Sequence, residues 1–346
     1  MKIALIAGEK EIKCVGSGIN STINRLYKYL KKGHEVKLIY GNYFLPNILG
    51  YLPFGQIKGY DLVHAGAPEF AAFISSSAPI ITTFYDDGMC QPSIYLKFTD
   101  KFSHKLILRI NKEIVKFLIK RGLHNCMKVI AISEQAKRGA INSFGVAKEK
   151  IAIIPPGIDT DVFKPMKVME KNTKLILFFC GGISKKKGID LLLKAVKILE
   201  KEKEIELWLA GMVHPMFPLK KILAKSSLIS KVRYFGFVSN KKLNQLYNES
   251  DIFVMPSRFE GYGVPPLEAL TCGTKVVCSL MPSIEPFKKF VTITKLTPKA
   301  IAENILKAYK KQIDFKQARA KIEKDYSVQA IGASYLKIYK EMLYAK

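Results

Sequence analysis

Short apolar runs alternate with amphipathic stretches along nearly the whole chain. The runs Lys2–Gly8, Glu35–Tyr40, Asp61–Ala65, Pro79–Tyr85, Lys128–Ser133 and Ile151–Pro155 read as strands, the first of them buried. Between them, apolar residues recur at helical spacing in Ile19–Lys32, stopped by Gly33, and in Glu134–Phe144, stopped by Gly145. The alternation pauses around Pro155-Pro156-Gly157 and Val162-Phe163-Lys164-Pro165, and a polar stretch follows to Thr173, which reads as a linker. A fresh set of strands is predicted at Lys174–Cys180, Glu206–Ala210, Val232–Gly236, Asp251–Pro256 and Lys275–Ser279, with a helix over Ile189–Glu200. This is the pattern of α/β architecture, in which parallel sheets are wrapped by helices. With 346 residues, two Rossmann-like doubly wound domains are expected, over 1–165 and 166–326, with a final helix over 327–346 crossing back to the first. Ligands of such sheets bind outside the carboxyl ends of the strands, and a two-domain arrangement puts the main cleft between the domains.

Composition excludes several classes. At 48% hydrophobic and 25% charged, the chain is neither disordered nor collagenous. No apolar run approaches the roughly 18–20 residues of a membrane span. The opening Met1–Gly8 runs straight into Glu9, Lys10 and Glu11, too short for a secretion signal, so a cytoplasmic protein is expected. Six cysteines without a C-x-x-C pair and five histidines without an H-x-x-x-H pair argue for reduced thiols and against a zinc site. The net charge of +27 rests on 49 Lys and only 7 Arg and is spread along the chain, with 23 basic against 13 acidic residues up to residue 165. That dispersion argues against a nucleic-acid partner, which Arg and aromatics gathered on one element would favour. From Lys97 to Arg121 the local excess is larger. Lys97, Lys101, Lys105, Arg109, Lys112, Lys116 and Lys120 make one helical stripe, with Phe102, Leu106, Ile110, Ile114, Phe117 and Leu118 on other faces. Two readings stand side by side: contact with an anionic membrane surface, or the solvated face of a helix packed on the first sheet.

Three glycine-containing turns carry candidate chemistry. Pro256–Leu270 follows a predicted strand and enters a helix through Pro265-Pro266; Gly261 and Gly263 let backbone approach a ligand, and Glu260 and Glu268 flank the turn. An ionised carboxylate accepts from vicinal hydroxyls, which suits a sugar; the alternative is a helix-terminal carboxylate and a surface glutamate. The turn Cys180-Gly181-Gly182-Ile183-Ser184-Lys185-Lys186-Lys187-Gly188 joins a strand to a helix and reads as an anion cradle or a solvated lysine turn, and its spacing is not that of a P-loop. Gly16-Ser17-Gly18 precedes the first helix, but Ser21 stands where a dinucleotide fingerprint needs glycine, so it is read as a loop closing on a ligand. Asp159-Thr160-Asp161 imitates a D-x-D metal motif, yet it lies in the linker, and no metal ligand is assigned.

Phe259–Val277 resembles the E-x7-E signature, and the strand after it, of the retaining glycosyltransferases of family 4, which have the two-domain GT-B architecture. Val129–Glu134, Ile153–Asp159 and Leu26–Val36 are similar to further segments of that family, so that the likeness covers roughly residues 1–280 and the final helix. The resemblance implies that Glu268 holds the ribose hydroxyls of a nucleotide sugar such as a UDP- or GDP-sugar, and that Glu260 contacts the transferred sugar. It likewise implies that Lys187 and the backbone at Gly182, Tyr262, Gly263 and Val264 meet sugar and diphosphate, with no cofactor or metal. The first domain would take the acceptor, a glycan or lipid-linked glycan, near Gly16, Gly18, Tyr85 and Asp86. Two departures stand out: Gly182 occupies the place of the family's phosphate-binding arginine, and Tyr85 that of its histidine. Met281–Leu296 also follows the family only loosely. Transfer of a sugar is the leading expectation; a sugar-nucleotide epimerase, or a non-catalytic membrane- or nucleic-acid-binding homologue, is the alternative.

Overall fold

The computed structural model describes residues 1–7, 18–40, 55–86, 102–167, 173–215, 217–226 and 228–344. They form two compact units. One comprises the described residues up to Gly157 together with those from Val328, and the other spans Ile158–Ser327. The chain passes from the first unit to the second between Gly157 and Ile158, directly after Pro155-Pro156.

The first unit contains β1 (Lys2–Ala7), β2 (Glu35–Tyr40), β3 (Gln56–Ile57), β4 (Leu62–Ala65), β5 (Ser75–Ser76), β6 (Ile80–Phe84), β7 (Lys128–Ala131) and β8 (Ile151–Ile153). Six of these make one parallel sheet in the order β2-β1-β4-β6-β7-β8, and β3 pairs with β5 separately. Alternation along β1 serves both faces of the sheet. Ile3 and Leu5 join Leu26 and Leu30 of the helix Gly18–Leu30 and Ile331, Tyr335 and Tyr339 of the helix Val328–Tyr344, whereas Ala4 and Ile6 pack with Val63, Phe70 and Ile80. Burial on both faces explains why β1 reads as an unbroken apolar run, whereas the edge strand β2 exposes Glu35 and Lys37.

The second unit contains β9 (Leu175–Cys180), β10 (Ile205–Ala210), β11 (Val232–Gly236), β12 (Ile252–Met255), β13 (Lys275–Cys278) and β14 (Thr292–Ile293). Their parallel order is β11-β10-β9-β12-β13-β14. The helix Glu134–Phe144 ends as expected, with Gly145 left-handed at φ 69°. The two-residue strands β3, β5 and β14 were not anticipated, because two residues carry no periodicity.

The basic segment is helical over Phe102–Asn125, and its part before residue 102 lies outside the described residues. Phe117, expected on an apolar face, is 57% exposed, while Leu118 and Ile119 are buried. Arg121 is turned inward. Its Nε donates to the Ala72 carbonyl at 2.7 Å and its guanidinium lies over the Phe73 ring.

The final helix is tied to the first sheet by a buried polar knot. The His64 ring on β4 bonds through Nδ1 to the Tyr339 hydroxyl at 2.5 Å and through Nε2 to Thr83 Oγ1 on β6 at 2.9 Å. Burial holds the imidazole neutral, its pKa lowered to about 3. An ordinary histidine titrates near 6.5, so the unfolded chain binds this proton first as pH falls. His64 therefore contributes stability that is complete above about pH 6.5 and is lost progressively between pH 6.5 and 3, by up to about 1.4 kcal/mol per pH unit. Urea unfolding followed by far-ultraviolet circular dichroism is expected to show a shallower loss of stability from pH 7 to pH 5 in His64→Gln than in the parent. Equal slopes would refute this assignment.

Candidate functional site

The strand order of the second unit reverses between β9 and β12. In doubly wound sheets the ligand crevice opens at that reversal, outside the carboxyl ends of the two strands. The loops leaving those ends are the two turns singled out from sequence, 181–188 after β9 and 256–263 after β12. They are packed backbone to backbone. Gly188 has φ +75°, and a Cβ built there would stand 1.9 Å from the Pro256 carbonyl oxygen. The Arg258 amide donates to the Lys186 carbonyl at 2.9 Å, and its guanidinium forks onto Asp190 at 2.7 and 2.8 Å and also donates to the Lys185 carbonyl. A planar guanidinium meeting a carboxylate in this bidentate way gives direction as well as attraction. Lys186 lies 5.1 Å over the Phe259 ring. Gly181 is also constrained, at φ +130°, and its carbonyl is what a side chain at Gly211 would strike.

On this clasped pair of loops, Lys187 Nζ sits 2.6 and 2.7 Å from the two carboxylate oxygens of Glu260. The Glu260 side chain is only 9% exposed and that of Lys187 23%. Glu268 is buried in the helix Val264–Cys272, where the Tyr247 hydroxyl donates to its Oε2 at 3.1 Å. Tyr247 also bonds at 3.0 Å to Cys180 Sγ at the end of β9. The thiol pKa is raised by burial and by the nearby Glu268 and drawn back by Lys187, so Cys180 lies within the fields of both residues. Burial likewise raises the Tyr262 phenol.

Gly263, left-handed at φ +93°, begins this helix, and a Cβ there would strike Met281 Sδ at 2.3 Å. Ser283 closes on the same turn, its amide donating to the Tyr262 carbonyl at 3.0 Å and its hydroxyl to that of Gly263 at 2.6 Å. Pro265 and Pro266 carry no N–H, so of the first three helical residues only Val264 offers an amide donor. This narrows the expected row of amides.

Gly182 is unstrained, with nothing within 4 Å of a Cβ built there. Of the remaining sequence-predicted residues, Gly18, Tyr85 and Asp86 belong to the first unit. Gly16 lies outside the described residues, Gly18 opens the first helix, and Tyr85 and Asp86 directly follow β6. Burial pushes the Tyr85 phenol well above its usual range, against a hydrogen bond to Thr22. Asp159 Oδ1 accepts from the Val162 amide at 3.2 Å, and Arg319 donates to the Thr160 carbonyl at 3.1 Å, which gives the D-x-D segment a structural use. Among the described residues no group of three or more His, Cys, Asp or Glu is placed to hold a metal ion. Sequence reasoning missed Tyr247 and Arg258. Neither has a local signature, since their partners are 21 and 68 residues away.

Two parallel α/β units with these loops at the reversal of the second sheet define the GT-B class. The fold is shared with sucrose-phosphate synthase from Thermosynechococcus elongatus, with a TM-score of 0.76 at 18% identity over 100% of both chains. It is shared as well with Anabaena HepE, solved in complex with UDP and glucose, with a TM-score of 0.74 at 16% identity over 99% of this chain and 100% of that one. The family profile described as Glycosyl transferases group 1 matches residues 163–326, and that of Glycosyltransferase Family 4 matches residues 44–162. The chain belongs to the group 1 glycosyltransferases. Among curated relatives, the MMP alpha-(1->4)-mannosyltransferase of Mycolicibacterium hassiacum is 28% identical over 46% of this chain and 38% of its own length. The O-antigen chain mannosyltransferase RfbU of Salmonella typhimurium is 28% identical over 50% of this chain and 48% of its own. The chain thus spans about half or less of the length of these relatives.

If the close approach at Gly188 shapes the site, Gly188→Ala must displace the Pro256 backbone. The expected cost is at least about 2 kcal/mol, combining left-handed strain with the clash, or a fall in melting temperature of roughly 4–8 °C for a unit of this size. Differential scanning calorimetry gives the measurement, and an unchanged transition would contradict the packing described.

Proposed function

We propose that the protein is a retaining, metal-independent glycosyltransferase that moves a sugar from a nucleotide-diphosphate sugar to a glycan or lipid-linked acceptor. The observation that carries this reading is the pairing of Lys187 and Glu260 across the two loops at the reversal of the second sheet, with Glu268 in the helix that follows the second loop. Breaking the anomeric bond leaves negative charge on a nucleoside diphosphate. Lys187 and the Val264 amide are the donors proposed to take it up. Glu268, oriented by Tyr247, accepts from the vicinal ribose hydroxyls, and Glu260 accepts from the transferred sugar. Without an arginine at Gly182, the diphosphate meets a point charge in place of a bidentate fork.

The acceptor is assigned to the carboxyl ends of the first sheet, where Tyr85 and Asp86 follow β6 and Gly18 opens the first helix. The glycan or lipid-linked class is supported by relatives whose names specify such acceptors, among them the O-antigen chain mannosyltransferase and the phosphatidylinositol N-acetylglucosaminyltransferase GPI3 subunit of Saccharomyces cerevisiae. A cytoplasmic protein resting on an anionic membrane surface is consistent with the basic helix, and among the described residues no helix is long and apolar enough to cross a membrane.

Thermal-shift screening against UDP-, GDP- and ADP-sugars identifies the donor, since a ligand bound only by the native state raises its melting temperature. With that donor, Glu268→Ala is expected to raise KM about tenfold or more with a smaller change in kcat. Glu260→Ala is expected to lower kcat by roughly 10²–10³, the usual loss when one preorganised contact to the reacting group is removed. Steady-state release of nucleoside diphosphate measures both. Parental kinetics in both variants would overturn the assignment.

A further inference from the structure

We propose that the Lys187–Glu260 ion pair makes the donor site selective for a ligand that brings a diphosphate and sugar hydroxyls together, and holds back a nucleoside diphosphate arriving alone. The inference rests on the reading of the site as a nucleotide-sugar site and adds a function for the pair itself. Both oxygens of Glu260 are engaged by a single ammonium at 2.6 and 2.7 Å, in a place where the carboxylate is nearly shut off from water. An anion that draws Lys187 away strips Glu260 of this partner. A shielded carboxylate left without donors is costly, and more so than the loss of the attraction alone.

A ligand can avoid that cost only by supplying new donors to the same oxygens. The hydroxyls of a hexose do so, each offering one O–H. A nucleoside diphosphate supplies the anion, but its ribose hydroxyls are assigned to Glu268 and it brings no hexose hydroxyl to Glu260, so its binding carries the full penalty. Because that diphosphate is also the product of transfer, re-forming the ion pair favours its departure. The pair is not needed to shape the loops. Arg258 on Asp190 and the approach of Gly188 to Pro256 clasp them independently.

The test is isothermal titration of the parent, Glu260→Gln, Lys187→Met and the double variant with UDP, GDP and ADP, and with UDP-glucose, GDP-mannose and ADP-glucose. The diphosphate that the parent binds is expected to bind Glu260→Gln about tenfold more tightly, while the matching sugar nucleotide gains nothing or weakens. In the Lys187→Met background the same change is expected to have no effect, because the partner being released is absent. A diphosphate affinity that is unchanged or weaker in Glu260→Gln would overturn the inference and leave the site reading standing. A gain that persists without Lys187 would also overturn it, since the cause would then be direct repulsion between carboxylate and diphosphate. If none of the six probes binds the parent or Glu260→Gln, the site reading fails and the inference with it. Should Glu260→Gln melt below the parent, Glu260→Ala is read by the same criteria.

Discussion

The geometry of the candidate site depends on one steric constraint, the approach of the Gly188 α-carbon to the Pro256 carbonyl. Two loops leaving adjacent parallel strands would ordinarily diverge into solvent. Here the left-handed glycine removes the side chain that would hold them apart, and Arg258 fastens the gap from the other side. The Lys187–Glu260 pairing is placed by that contact. Lys187 is the residue before the glycine and Glu260 stands two residues beyond the arginine, so closing the loops sets lysine against glutamate.

Charge enters the protein at two levels. The surplus of lysine gives the whole surface a positive bias that attracts phosphorylated or anionic partners without choosing among them. At the site the bias is locally cancelled, because Glu260 matches Lys187 and Asp190 matches Arg258. Lys185 and Lys186 of the same turn take no part in these two ion pairs, and Lys186 lies over an aromatic face. The partly buried Lys187–Glu260 pair is less screened by salt than the exposed lysines of the surface.

The first unit holds its final helix with polar as well as apolar contacts. Tyr335 and Tyr339 pack in the core, and Tyr339 also bonds to His64. A buried histidine satisfied on both ring nitrogens specifies one docking register for that helix, since a shifted register would leave the ring unpaired. The same kind of device recurs in the second unit, where Tyr247 bridges Cys180 and Glu268. In each unit a tyrosine hydroxyl joins a helix to the carboxyl half of a strand.

The chain's own pattern determined the class of fold, because strands buried on both faces must be apolar at every position and the helices between them cannot be. It marked Gly145 as a helix end and drew attention to both glycine turns, since positive φ and helix entry leave local signatures in residue type. It also identified Lys187, Glu260 and Glu268 as candidates, through their likeness to a known signature. What it could not supply was their pairing. That Glu260 meets Lys187, that Tyr247 reaches Glu268 and that Arg258 reaches Asp190 follow from strand order, which places β9 beside β12 although some 70 residues separate them. Nor did helical periodicity place Phe117, because an apolar residue is buried only where a neighbour covers it. Local residue chemistry is written in the chain, whereas contacts between distant loops arise only when the sheet has brought their strands side by side.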